Sequence, residues 1–269
     1  MNKNLFLKEF KRNFISLLSW SLIISGLIIF TMSFYGTFVK NQAQFMGMMS
    51  IVPKEMLEMR GVSDITGLFS ILGFYSANNI IYMMLLGSIY AIVLGAGILH
   101  KEEYQKTAEF LFSKPLSRSE IFNTKFIVFL FNILALNIFT DLVGLFSIEV
   151  FKTGELSIMP YVYLCIYTLL LNLLFGTLGL FISVFAKRSK PLTTFGVAIV
   201  MILYFIFTIS KITESAKNIG YLSPFKYART DIVSDNYGID IPHLLYFMLI
   251  AAFFIIASHI VYKRKDIYL

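Results

Sequence analysis

The sequence predicts an all-α membrane protein: six transmembrane helices forming a single polytopic domain over residues 1–269. Three observations carry that prediction: an extreme composition, a set of long apolar runs, and a lopsided distribution of Lys and Arg. Of the 269 residues, 57% are hydrophobic, 16% aromatic and 14% charged, with a mean hydropathy of +0.75. Soluble domains run at about 45–50% apolar and about 25% charged, so a hydrated surface cannot cover this chain. A soluble enzyme, a disulfide-stapled secreted scaffold and a disordered chain are all excluded. The lone cysteine, Cys165, lies inside an apolar run and offers neither a disulfide framework nor a thiolate zinc site. At about 20 residues per crossing, the length holds about six spans with modest loops.

Leu5, Phe6, Phe10 and Phe14 fall near helical spacing, with Lys3, Lys8, Lys11 and Arg12 on the other faces. This predicts an amphipathic helix over Asn2–Asn13 in the inner headgroup layer, its cations against anionic lipid; ordinary flanking charge is the plainer alternative. The first span, Ile15–Tyr35, is too long for the h-region of a signal peptide. An outer loop, Gly36–Asn79, follows, in which Pro53 opens and Gly61 closes a short helix. The second span, Ile80–Leu99, repeats small residues every four positions at Gly87, Ala91 and Gly95, a spacing that lets helices approach closely.

The inner loop His100–Lys125 reads as a helix over His100–Phe112, a break at Pro115, and a new start. Pro115 cannot continue a helix and pushes Lys114 out of the α region. Ser117 and Glu120 then fit a capping box whose helix runs into the third span, Phe126–Ile148. That makes the loop a rigid elbow. The fourth span, Tyr161–Ala186, carries another small set at Gly176, Gly179 and Ser183. The fifth is Leu192–Ile209, and an outer loop, Ser210–His243, places aromatics around Pro224, as suits the outer interface. The sixth is Leu244–Tyr262. Backbone groups in hydrocarbon must pair within their own segment, and no run alternates like a barrel strand, so the spans are helices.

The larger share of the 23 Lys and Arg falls at the N-terminus, in the 100–125 loop, at 187–190 and at 263–265. The positive-inside rule places those segments, and both termini, in the cytoplasm. The net charge of +7 is therefore a topology signal, with no nucleic-acid-binding pattern around it.

No Walker loop, metalloprotease helix or nucleophile elbow is present, and the three histidines are scattered, so neither catalysis nor a histidine metal site is expected. Met46, Met48, Met49, Met56 and Met59 form either a soft thioether site for copper(I) or adaptable apolar packing. Asn137, Asp141, Gly144 and Ser147 make a polar and small stripe in the third span. A carboxylate in a span usually faces an interior or a pathway, so Asn137 and Asp141 are the candidate translocation residues; alternatively Asp141 lies at the outer headgroups.

The run Glu102-Glu103-Tyr-Gln-Lys-Thr107-Ala-Glu109-Phe-Leu111-Phe-Ser-Lys-Pro115-Leu-Ser-Arg118-Ser-Glu-Ile-Phe-Asn-Thr-Lys125 resembles a signature of ABC-2 type transporter permeases: an acidic pair, Thr-x-Glu-x-Leu, Pro-x-Ser-Arg and Lys. Lys106 stands where the family usually has glycine. Pro53-Lys-Glu, Ser223-Pro224-Phe225-Lys-Tyr227 and Tyr262-Lys-Arg-Lys-Asp266 are also similar to that family. The resemblance implies that the 100–125 loop is a coupling helix seated on a separate cytoplasmic ABC ATPase subunit, with Glu102, Glu103, Thr107, Glu109, Leu111, Pro115 and Arg118 in the contact. It also implies export driven by ATP hydrolysed in that partner, no cofactor in this chain, a second permease copy (identical or different), and a multi-pass place in a bacterial plasma membrane. Two other readings stay open at this point: a non-transporting immunity or regulatory protein, and an ion-coupled carrier using Asp141.

Overall fold

The computed structural model describes residues 3–49, 66–99, 116–152, 157–185, 192–212, 216–230, 232 and 237–264. Among the described residues there is helix and turn and no strand. Six helices are long and apolar enough to cross a membrane: Lys3–Lys40, Ile71–Ile98, Arg118–Phe151, Ile158–Phe185, Leu192–Ser210 and Ile241–Arg264. Each overlaps one predicted run.

Spans two and four form the centre and share the largest interface; span three joins span one on the other side, and span six packs on span four. Small residues make the central seam. A Cβ on Gly95 would run into the Gly176 carbonyl and stand 2.9 Å from the Leu180 amide nitrogen; one on Gly179 would run into the Ile92 carbonyl and stand 2.9 Å from the Ala96 nitrogen. The two backbones touch, as the spacing of Gly87, Ala91 and Gly95 predicts. Lipid tails are as apolar as leucine, so close van der Waals packing of this kind holds helices together where the hydrophobic effect between them is weak.

Helix is present from Lys3, as expected, but it does not separate from the span. Lys3–Ser33 is one unbroken helix of 31 residues, about 46 Å long, which exceeds a hydrocarbon core of about 30 Å. Leu5, Glu9, Asn13, Leu17, Ser21, Ile24, Ile28 and Met32 are its buried line. Phe6 and Phe10 stack edge-on to Phe131 of span three, at 6.4 and 5.2 Å between centroids. Glu9 is enclosed and paired with Arg12. No Pro or Gly falls between Lys3 and Ser25, and span three offers an aromatic edge, so Leu5, Phe6 and Phe10 pack on protein instead of turning aside into the headgroup plane.

Two connections differ from simple outer loops. The described parts of 36–79 are helical, and span two begins at Ile71, earlier than the predicted Ile80, with the Ser70 hydroxyl capping the Gly73 amide at 3.1 Å. The Asn78-Asn79 pair looks like a span boundary in sequence, yet Asn79 is fully buried inside the helix path. The predicted helix between Pro53 and Gly61 lies outside the described residues. The aromatic segment of 210–243 goes deeper than an interface: Ser223 Oγ donates to the Leu203 carbonyl at 2.7 Å, and Phe225 is fully enclosed by Phe175, Tyr204 and Phe207.

Candidate functional site: a polar interior and a fastened helix junction

A chain of hydrogen bonds crosses the apolar middle of the bundle. Ser88 Oγ of span two donates to Asn172 Oδ1 of span four at 3.3 Å, and Asn172 Nδ2 donates to Asn137 Oδ1 of span three at 3.0 Å. Asn137 Nδ2 donates to the Ile133 carbonyl at 2.8 Å. All three residues are buried. The Asn172 amide lies directly against Gly87, where a Cβ would come within 2.6 Å of Nδ2. Glycine makes room for the polar group that joins the three central helices.

One turn beyond Asn137, Asp141 is half-buried and lies near Cys165 of span four. Its backbone carbonyl accepts from Tyr161 Oη at 2.5 Å. The Tyr75 and Tyr161 rings meet edge to face at 5.4 Å, and their hydroxyls rest over Gly144. The predicted stripe thus turns toward span four, where it meets hydroxyl, thiol and amide groups. Asp141 stands inside this cluster.

A third feature lies in span two. The Asn79 side chain is fully buried, and neither its amide oxygen nor its nitrogen makes a hydrogen bond. It precedes a π-turn over Tyr82–Leu86. An unpaired buried amide costs about 1–3 kcal/mol, whereas an apolar side chain of similar shape escapes that cost. Asn79→Leu is therefore expected to raise thermal stability, by about 1 kcal/mol in unfolding experiments. A clear drop in melting temperature would show that the amide is satisfied after all.

At the end of the bundle that carries the chain termini, the predicted capping box is present. Ser117 Oγ accepts from the Glu120 amide at 3.2 Å, and Glu120 Oε2 accepts from the Ser117 amide at 2.9 Å. Arg118 Nη1 reaches the Lys263 carbonyl of span six at 3.5 Å. Phe122 packs on His259 and Tyr262, with centroids at 4.8 and 5.7 Å. Lys125 is fully buried, and its Nζ donates to the Ile98 carbonyl at the end of span two, 2.7 Å away.

Of the sequence-predicted coupling residues, Arg118 is therefore at a helix junction. Glu102, Glu103, Thr107, Glu109, Leu111 and Pro115 lie outside the described residues, as does the helix predicted over His100–Phe112. Met46 and Met48 are exposed on the helix Gln42–Met49, while Met56 and Met59 lie outside the described residues. Among the described residues no three His, Cys, Asp or Glu side chains gather to hold a metal. Sequence reasoning passed over Ser88, Asn172 and Asn79. Asn172 carried a usable signal, since a lone amide inside an apolar run is rarely without a partner in another helix.

The family model described as ABC-2 family transporter protein matches residues 3–267. The chain belongs to that family. No curated protein matches it. This ABC-2 transporter chain is thus a multi-pass protein of the cell membrane. Membrane proteins of the family are typically non-catalytic, and membership implies association with an ABC ATPase.

Proposed function

We propose that the chain is the permease subunit of an ATP-driven exporter, moved by a separate cytoplasmic ABC ATPase that docks on the 100–125 loop. The observation that carries this reading is the family match across all six spans. The capped helix start at Ser117 supports it, because a lever must be stiff enough not to absorb the stroke. In this reading both termini face the cytoplasm, Glu102, Glu103, Thr107, Glu109, Leu111, Pro115 and Arg118 form the docking surface, and this chain holds no cofactor. A second permease copy, identical or different, completes the pathway. Asn137 and Asp141 serve that pathway, with the Ser88–Asn172–Asn137 hydrogen bonds as the part that must rearrange when spans two, three and four separate.

Charge reversal tests the docking surface. Glu103→Lys and Arg118→Glu are each expected to cut ATPase recruitment to permease-containing membranes by about tenfold, the effect of losing a charged contact. Recruitment and transport at undiminished levels in both variants would overturn the assignment. Loss of transport with recruitment intact would place these residues in transmission and not in docking.

A further inference from the structure

The end of span two and the first turns of span three are tied together inside the protein by a side chain of span three. Ile98 is the last residue of the helix Gly87–Ile98, so its carbonyl is one of those that a helix leaves without an internal partner. The C-terminal end of a helix also carries its partial negative charge. Lys125 fills this position from span three, its stem enclosed and its Nζ 2.7 Å from the Ile98 oxygen. Ile98, Leu99, Ile121 and Phe122 are buried as well.

Arg118, Phe122 and Lys125 follow one another at intervals of four and three, which sets them along one side of the helix. Arg118 and Phe122 hold the end of span six through the Lys263 carbonyl and the His259 and Tyr262 rings. The first two turns of span three therefore grip span two with one residue and span six with the other two.

We infer that Lys125 is a positioning residue for energy transmission: it locks the end of span two to span three, so that a displacement of the 100–115 segment moves both helices together. Phe122 extends the same joint to span six. Without the Lys125 bond, the last turn of span two keeps its backbone contact with span four but loses this hydrogen bond to span three. The push would then move span two without carrying span three along with it. The inference rests on the reading that this segment receives the ATPase.

The test uses the permease–ATPase complex in lipid nanodiscs, with spin labels on Val150→Cys and Ile241→Cys in a Cys165→Ser background. Both label sites are exposed at the far end of the bundle from the joint. Three quantities are read: bound ATPase, ATP hydrolysis, and the ATP-driven change in label distance. Lys125→Met keeps the stem and removes the donor. It is expected to bind ATPase as wild type does and to hydrolyse ATP, while occupancy of the ATP-driven distance falls about fivefold, the effect of one net hydrogen bond on a two-state equilibrium. Lys125→Arg, which retains donors, is expected to restore the movement. A merely structural role would instead lower binding, hydrolysis and movement together.

Full movement in Lys125→Met, or failure of arginine to rescue, overturns the inference while leaving the docking reading in place. Absence of bound ATPase on the wild-type permease overturns the docking reading and takes this inference with it. If Lys125→Met does not accumulate, Phe122→Leu is expected to show the same split between hydrolysis and movement, because it loosens the contact with His259 and Tyr262 while remaining apolar. Full movement in that variant also counts against the joint.

Discussion

Gly95→Ala is expected to break the bundle at its centre. The added methyl has no free space: it meets the Gly176 carbonyl and the Leu180 amide, both backbone atoms that cannot rotate away. The whole of span four must shift, and with it the Gly179–Ile92 contact and the Asn172 bonds to Ser88 and Asn137. Overpacking of a tight interior costs about 1–3 kcal/mol, and a clash between two backbones belongs at the upper end. The expected result is loss of about 3 kcal/mol, seen as a collapse of monodisperse protein in size-exclusion chromatography and a lower melting temperature. Gly97→Ala is the matched control, since a Cβ there meets nothing within 4 Å. Alanine in a helix is favoured over glycine by about 0.5–1 kcal/mol, so that variant is expected to be neutral or slightly stabilised. Equal behaviour of the two variants would refute the seam.

Phe225→Ala has the second large effect. The ring is fully enclosed, with centroids 5.2 Å from Phe175, 5.4 Å from Tyr204 and 6.1 Å from Phe207. Removing a buried phenylalanine side chain costs about 3–5 kcal/mol, part of it the cavity left behind. Here the ring also anchors a connection that enters the bundle, so its loss releases the Ser223–Leu203 hydrogen bond as well. Expected are a melting temperature well below wild type and faster proteolysis within 216–230. Leu222, 70% exposed, supplies the comparison: Leu222→Ala is expected to change neither measurement appreciably. Similar proteolysis of both variants would mean that the segment rests on the surface.

These two residues differ in how far their roles could be read in advance. Gly95 belongs to a repeat with Gly87 and Ala91, and small residues four apart identify a packing face before any partner is known. The partner, Gly176 and Gly179 of span four, has the same character, so the seam was nearly legible as a pair. Phe225 was legible only as an aromatic beside a proline turn. Such a residue suits the membrane interface as well as an interior, and local sequence does not separate the two. The same ambiguity displaced the start of span two: Asn78 and Asn79 have the polarity of a boundary, and only the surrounding helices make Asn79 an interior residue. Lys125 illustrates the converse. As a cation at the foot of a span it suggests headgroup contact, whereas its ammonium ends on a backbone carbonyl inside the protein.

The sequence by itself determined the class, the six spans, the capped start at Ser117 and the family, because these depend on hydropathy, periodicity and local hydrogen-bonding options within a few residues. The tertiary structure alone decided which polar groups meet: Asn137 with Asn172 and Ser88, Asp141 with Cys165, Lys125 with Ile98, and Asn79 with none. Helices in lipid are specified one at a time by their own backbone bonds, but a polar side chain in an apolar medium is specified by whichever neighbour can satisfy it. That neighbour sits on another helix, distant in sequence, and becomes identifiable only when the helices are packed.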